Sequence, residues 1–488
     1  MSNVGYQWLC DHYSLKVFPL RKPAQVGPVS RIMDDGDALR VPAHVAPNAD
    51  IPLEHFLFAL KHEGINLQIL YQGLRQLPSA SMLAAVHAQP SSRYVRILGF
   101  LWESFNQKQL SDDLSIAGPT VMLFDPKRYI TGVDQRNARW RVNFNGLGSI
   151  NYCVTVERTH EIKAGLQQDL LRQANTFIQG LNSQLLDRAL SWAYLHETES
   201  SFAIEREAPL PDKTEAFVEL LRQAHQPHEL DEAYLVALQN LCITNPLDKA
   251  VFYRHQQNWL RGPLRGAAGV TYVPPAPTQV RELMNELLHL AKQWPRQIDP
   301  LVAASILSFA FVFIHPFMDG NGRLSRFLFH SILAQSGALP PGVLLPVSVA
   351  MKRNEDKYLR ALQSFSVPMR KHWQVQWLGD EDYQFNLNAD ESLYRYWDAT
   401  ECVAFGLEMT QQALEHDLHA ETEFLQRFDL VYRAIDERFD VRGKDLTTLV
   451  LSALQNKGKV SNNRRKQFSL TVQEHVFDAI EQACDEAQ

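Results

Sequence analysis

Residues 311–330 read FVFIHPFMDGNGRLSRFLFH. An apolar run closes on His315-Pro316-Phe317, crosses Asp319-Gly320-Asn321-Gly322, and resumes as a second apolar run carrying Arg323 and Arg326. The preceding stretch, 301–314, is apolar nearly all round, which predicts a buried helix. Pro316 cannot continue that helix and steers His315 away from the helical region, so the imidazole should be held at the end of a rigid element. Gly320 and Gly322 can take positive φ and expose successive backbone N–H groups. The apolar spacing of RLSRFLFHSILAQ predicts a new helix starting near Arg323. A glycine turn feeding a helix N-terminus is an anion site. Arg323 and Arg326 are three apart and share one side of that helix. Two guanidiniums beside a nest of amides describe a polyphosphate cradle. Asp319 at its lip could hold Mg²⁺, and His315 could take a proton from an attacking hydroxyl.

Taken singly, these features are ordinary. Asp-Gly and Asn-Gly pairs are usually turns, and a histidine at a helix end is usually structural. The combination is not ordinary. His-Pro-Phe-x-Asp-Gly-Asn-Gly-Arg-x-x-Arg fixes nine positions, and at roughly 5% usage per residue type a chance match at one start is on the order of 10⁻¹².

This stretch resembles the signature of the Fic family, and all nine positions match. The resemblance implies a mainly α fold: a helical Fic core with a short β-hairpin flap. It also implies transfer of the AMP part of ATP onto a Ser, Thr or Tyr hydroxyl of a target protein, self-modification included. Carried over by position, His315 would be the general base and Asp319 the Mg²⁺ ligand. Gly320, Asn321, Gly322 and Arg323 would contact the phosphates, and Arg326 would grip the γ-phosphate. Phe317 would anchor the loop in the core. The Doc branch has Lys where this chain has Gly322 and lacks the last arginine; its members phosphorylate, so Gly322 and Arg326 favour nucleotide transfer. Upstream, FYRHQQNWLRGPLRGAAGVTYVPPAP resembles the segment that forms the flap, placed at 261–274, where a target peptide would add as a strand. Downstream, NEDKYLRALQSFS resembles the segment near the adenine, with Asn354 and Tyr358 matching.

Residues 196–209, HETESSFAIEREAP, place Ser201 and Glu205 four apart, on one face of a helix. Alone this reads as a solvated helical face. Beside a Fic core it resembles the family's inhibitory motif, Ser/Thr-x-x-x-Glu-Gly/Asn, as a helix near 198–207. The resemblance implies that Glu205 pairs with Arg326 and takes the place of γ-phosphate oxygens, so that ATP binds out of line for attack. Arg206 departs from the family's Gly or Asn. In some relatives the same glutamate positions a water and the enzyme removes AMP, so a de-AMPylase is the alternative activity.

The rest of the chain sets the frame. Its 488 residues, 45% hydrophobic and 21% charged with a net charge of −7, read as a multidomain globular protein without a bulk pull toward nucleic acid or anionic membrane. Cys10, Cys153, Cys242, Cys402 and Cys484 form no CxxC and are expected as reduced thiols. The N-terminal residues lack the pattern of a secretory signal, and 301–314 is too short to span a membrane, so the expected location is cytoplasmic with no membrane partner. Helices are expected at 53–76, 90–109, 279–292 and 300–314. An antiparallel meander is expected from 120–124, 128–133, 138–144 and 151–158. Boundaries near 160 and 380 would divide an N-terminal α+β domain containing a small antiparallel sheet (1–160), the Fic core (161–380) and a helical C-terminal region (381–488). Two basic stretches, Arg136/Arg139/Trp140/Arg141 and 456–468, offer a rival reading: a nucleotide-sensing regulatory protein that binds DNA or a partner through its flanks.

Overall fold

The computed structural model describes every residue except Met1, Ala49, Pro209, Pro227, Thr244, Glu381 and Gln488. The architecture is mainly α, with several small sheets. Contacts divide the chain into two units. The first comprises Met1–Gln168, Arg222–Gly337 and Asn354–Leu407; the second comprises Asp169–Leu221, Ala338–Arg353 and Glu408–Gln488. No helix among the described residues is long and apolar enough to cross a membrane. All five cysteines are free thiols.

In the first unit, the helices Pro52–His62, Leu67–Leu74, Ser79–Ala88 and Arg93–Asn106 pack around Phe56, Ile69, Leu70, Leu98 and Leu101. The expected single helix over 53–76 is two helices. Gly64 takes φ +97° after the first, and Asn66 starts the second, its side chain accepting the Ile69 N–H at 3.2 Å.

The expected antiparallel meander is corrected in two ways. Val121–Met122 runs parallel to Val142–Phe144, with Gln135–Asn137 antiparallel on the other side. The 128–133 stretch makes only a bridge, Tyr129 to Glu157. Tyr129 is buried, and its hydroxyl accepts the Ile65 N–H at 3.0 Å, so this residue anchors the helices and no strand extends from it. Cys153–Thr155 pairs antiparallel with Leu147–Gly148 and parallel with the distant strand Tyr396–Asp398. Trp140 is fully buried, and its Nε1 donates to Glu103 at 2.7 Å, while Arg139 pairs with the same carboxylate at 2.9 Å. These two residues serve the packing of the sheet on its helix.

The helix Pro300–Ile314 is the centre of this unit, with every residue from Leu301 to Ile314 buried. Pro277–Gln293 lies against it, and Asn321–Ser336 follows it. Leu260–Arg261 and Val270–Tyr272 form the hairpin expected near 261–274. The acidic stretch near 380 holds a second hairpin, Trp373–Gly379 with Asp382–Leu387. Its strand character comes from alternation of Trp373, Val375 and Trp377 against Leu387, Phe385 and Tyr383.

In the second unit, His419–Asp436, Gly443–Gln455 and Glu474–Glu486 enclose Val431, Leu446, Leu449, Phe477 and Ile480. In the basic stretch 456–468, Arg465 bonds to Glu474, Asp478 and Glu481, and Lys459 pairs with Glu481. Lys459 and Arg465 thus neutralise nearby carboxylates, which leaves these two cations less available to a DNA backbone.

Candidate active site

The site begins with a well-made helix. Pro300 opens it, and the Asp299 carboxylate accepts the N–H groups of Leu301 and Val302 at 2.9 and 3.1 Å. It ends at His315, which adopts φ 53°, ψ 60° and still donates its N–H to Phe311 O at 2.9 Å. Pro316 closes the right-handed region to its predecessor, and the left-handed cap is the outcome. His315 is 8% exposed. Its Nδ1 lies 3.2 Å from the Val312 carbonyl. A carbonyl only accepts, so this contact calls for a proton on Nδ1; in the neutral ring Nε2 is then the basic nitrogen.

Phe317 is fully buried against Tyr253 and Phe311. Asn321 grips the backbone of Phe317 from both ends of its amide: Oδ1 accepts the Phe317 N–H at 3.0 Å, and Nδ2 donates to the Phe317 carbonyl at 2.8 Å. This clamp closes the loop and starts the next helix at Asn321, earlier than the Arg323 expected from periodicity. Of the two loop glycines only Gly320 has positive φ, at 86°. A Cβ there would lie 3.3 Å from Ile243. Gly322 is inside the first turn of the helix, so the expectation of two left-handed glycines is corrected to one.

Asp319 is partly exposed. It accepts the Gly320 N–H at 2.6 Å and Arg323 Nη2 at 3.2 and 3.3 Å. Arg323 is buried and also donates Nη1 to the Cys242 carbonyl at 2.8 Å. Arg326 is 1% exposed on the same helix. Tyr358 packs its ring 6.0 Å from Phe309 and 5.6 Å from Phe405. His315, Asp319, Gly320, Asn321, Gly322, Arg323, Arg326 and Tyr358 thus all belong to the first unit.

Three polar residues that sequence reasoning missed hold this loop. Arg254 donates Nε to the His315 carbonyl at 2.8 Å, Nη2 to Pro275 O at 2.5 Å and Nη1 to Gln256 O at 3.1 Å. Its own N–H donates to Pro316 O at 2.8 Å. Burial pushes its guanidinium down to about 10. Asn258 Nδ2 donates to Met318 O at 3.1 Å, and Gln239 Nε2 to Asp319 O at 3.2 Å. Each acts on a main-chain carbonyl, which leaves no trace in residue type; their places in quoted or helical segments were the only signal. The hairpin is fixed beside the site by Tyr272, whose hydroxyl donates to Phe313 O at 2.5 Å, and by Arg370, which donates to Val270 O at 2.8 Å.

Ser201 and Glu205 belong to the second unit. The helix Ser183–Ile204 carries Ser201, fully buried, in its last turn. Glu205 is its exposed C-cap and Arg206 stands just beyond at φ 60°. The Arg206 N–H bonds to Ala203 O at 3.1 Å and the Glu207 N–H to Phe202 O at 3.1 Å. This is a Schellman ending, whose left-handed position Gly and Asn fill most easily. The expected helix over 198–207 therefore stops at Ile204, because Arg206 turns left-handed.

Residues 229–333 match the Fic/DOC family model. A protein adenylyltransferase Fic of Nematostella vectensis is 38% identical over 74 residues, 15% of this chain and 17% of that protein. The protein adenylyltransferase fic-1 of Caenorhabditis elegans is 39% identical over 77 residues, covering 16% of this chain and 15% of its own length. The chain thus spans less than a fifth of the length of either relative. Among solved structures, a Fic family protein from Desulfovibrio desulfuricans aligns with TM-score 0.41 and 20% identity, over 63% of this chain and 90% of that one. The family likeness is thus carried by residues 229–333, which hold the loop, its clamps and the hairpin and are similar to the Fic/DOC family.

Proposed function

We propose that the chain is a protein adenylyltransferase, moving AMP from ATP to a Ser, Thr or Tyr hydroxyl of a target protein. The observation that carries this reading is the state of His315. Its Nδ1 lies against Val312 O, so in the neutral ring Nε2 would be the base, and the loop that follows leads into a helix with two buried arginines. In this reading Nε2 accepts the hydroxyl proton while the hydroxyl oxygen attacks the α-phosphorus. The bond to the bridging oxygen breaks, and pyrophosphate leaves. Arg326 draws the γ-phosphate, which sets the α-phosphorus in line. Arg323 contacts the phosphates and also orients Asp319. The family implies Mg²⁺. Among the described residues no group of three or more His, Cys, Asp or Glu side chains is arranged to hold a metal ion by itself. One partly exposed carboxylate, Asp319, fits an ion that takes its other ligands from phosphates and water. Bound there, it would neutralise phosphate charge.

Several finer points belong to the same reading. Tyr358 would flank the adenine, and the hairpin near 261–274 would take the target peptide as an added strand. Glu205 would pair with Arg326 and hold the enzyme inhibited, with Ser201 fixing its helix. Supporting this are the sequence motif and the helix ending it forms. Residues 1–160 and 381–488 would be flanking domains around the core, acting in the cytoplasm.

Incubation with labelled ATP and Mg²⁺ tests the proposal. Glu205→Gly should raise self-labelling, and His315→Ala in that background should abolish it. A mass increment other than AMP, or labelling that survives His315→Ala, would overturn the assignment.

A further inference from the structure

We infer that Glu197 is a positioning residue for the inhibitory segment, latching its helix to the 338–353 strap. The inference rests on the inhibitory role of Glu205 proposed above. Glu197 is fully buried in the helix Ser183–Ile204, two turns before Glu205. Its Oε2 accepts the Ser348 N–H at 2.7 Å, and its Oε1 accepts the Ser348 hydroxyl at 2.5 Å. Ser348 is itself fully buried, in the first turn of the helix Val347–Arg353. A buried carboxylate is tolerated only with such partners, so its position along the strap is fixed to within a bond length.

The latch is one of a series along the helix. Tyr194 Oη donates to Gly342 O at 3.1 Å, before Glu197. Lys352 Nζ donates to Ala203 O at 3.1 Å, after it. That lysine takes a terminal carbonyl of the helix two residues before Glu205, where a cation also suits the helix dipole. The bonds follow the same order on both segments, 194, 197 and 203 against 342, 348 and 352, so they set the register of one against the other. The strap is covalently continuous with both parts of the proposed nucleotide site. Before it comes the helix Asn321–Ser336 with Arg323 and Arg326, and after it Glu355–Arg370 with Tyr358. The inhibitory helix is therefore held by the chain that links these two helices. Glu197 is the part of that hold whose loss leaves buried polar groups unsatisfied.

Removing the carboxylate should loosen the final turns that carry Glu205 and raise the population in which it is displaced. The test compares Glu197→Ala and the milder Ser348→Ala, in wild type and in Glu205→Gly, using self-labelling with ATP and Mg²⁺. Hydrogen exchange at residues 198–206 is read on the same folded samples. The expected result is about tenfold more labelling for Glu197→Ala, by the usual effect of a lost buried charged bond. A smaller rise is expected for Ser348→Ala, with faster exchange at 198–206. In Glu205→Gly neither change should add further labelling, because the inhibitory group is already gone. A purely structural role would lower labelling in both backgrounds. Unchanged or reduced labelling beside an active Glu205→Gly overturns the latch and leaves the inhibitory reading standing. A Glu205→Gly no more active than wild type overturns the inhibitory reading and the latch together.

Discussion

Arg254 Nε donates to the carbonyl oxygen of His315 at 2.8 Å, the residue on which the proposed chemistry turns. The same guanidinium reaches Pro275 O and Gln256 O, and the Arg254 N–H reaches Pro316 O. A planar fork is needed to serve these diverging carbonyls at once, and lysine cannot replace it. Arg254→Lys should therefore fold, lose about 2 kcal/mol of stability, and lose labelling tenfold or more as the left-handed cap at His315 relaxes. Denaturant melts and labelling of the variant in a Glu205→Gly background check both. Full activity in a destabilised variant would show that Arg254 serves the fold and not the site.

Gly320 and Gly322 should respond differently to alanine. Gly320 stands at φ 86° with Ile243 and Gln239 3.3 and 3.5 Å from a new Cβ, so Gly320→Ala should cost about 1–2 kcal/mol and distort the loop. Gly322 is helical, so Gly322→Ala should leave stability unchanged or raise it by up to about 1 kcal/mol. If the amides line phosphates, Gly322→Ala should still weaken ATP binding, because a methyl group then stands at the cradle. Thermal melts and nucleotide titration separate the two effects. A Gly322→Ala protein that is destabilised would contradict the helical placement.

The contrast shows what the sequence discloses and what it hides. The helix Pro300–Ile314 was legible because it is apolar nearly all round, with only Ser305 and Ser308 interrupting it, and Pro316 ends it. The hairpin near 261–274 was legible through its likeness to a known segment. The partner of strand Cys153–Thr155 was not, because Tyr396–Asp398 lies far along the chain and pairs parallel to it. The hairpin at 373–387 was hidden by an acidic turn that outweighed its aromatic alternation. Residues that clamp the loop through main-chain carbonyls, such as Arg254 and Gln239, have no local pattern at all.

Arg206 offers a separate check on the ending of the helix proposed to be inhibitory. A non-glycine residue at φ 60° costs about 1 kcal/mol, and its N–H and that of Glu207 already complete the Schellman pair. Arg206→Gly should stabilise the protein by up to about 1 kcal/mol, read as a raised melting temperature. If the arginine adds only strain, the inhibitory segment should be better ordered and labelling should fall. Lower stability would mean that the side chain makes a contact worth more than the strain it carries.

Glu63 gives a pH test remote from the site. Burial raises its carboxyl from 4.5 to about 7, against the pull of the Tyr6 N–H, which it accepts at 2.9 Å, and of Arg128. The folded state then holds a proton that the unfolded state releases above pH 4.5. Stability should therefore fall as pH rises from about 4.5 to about 7, and level off above. The shift corresponds to roughly 3 kcal/mol at most. Glu63→Gln keeps an acceptor for Tyr6 and removes the ionisation. Its advantage over wild type should be largest at pH 8 and vanish near pH 4.5, as measured by denaturant midpoints across that range. A difference that is flat with pH would place the titration elsewhere.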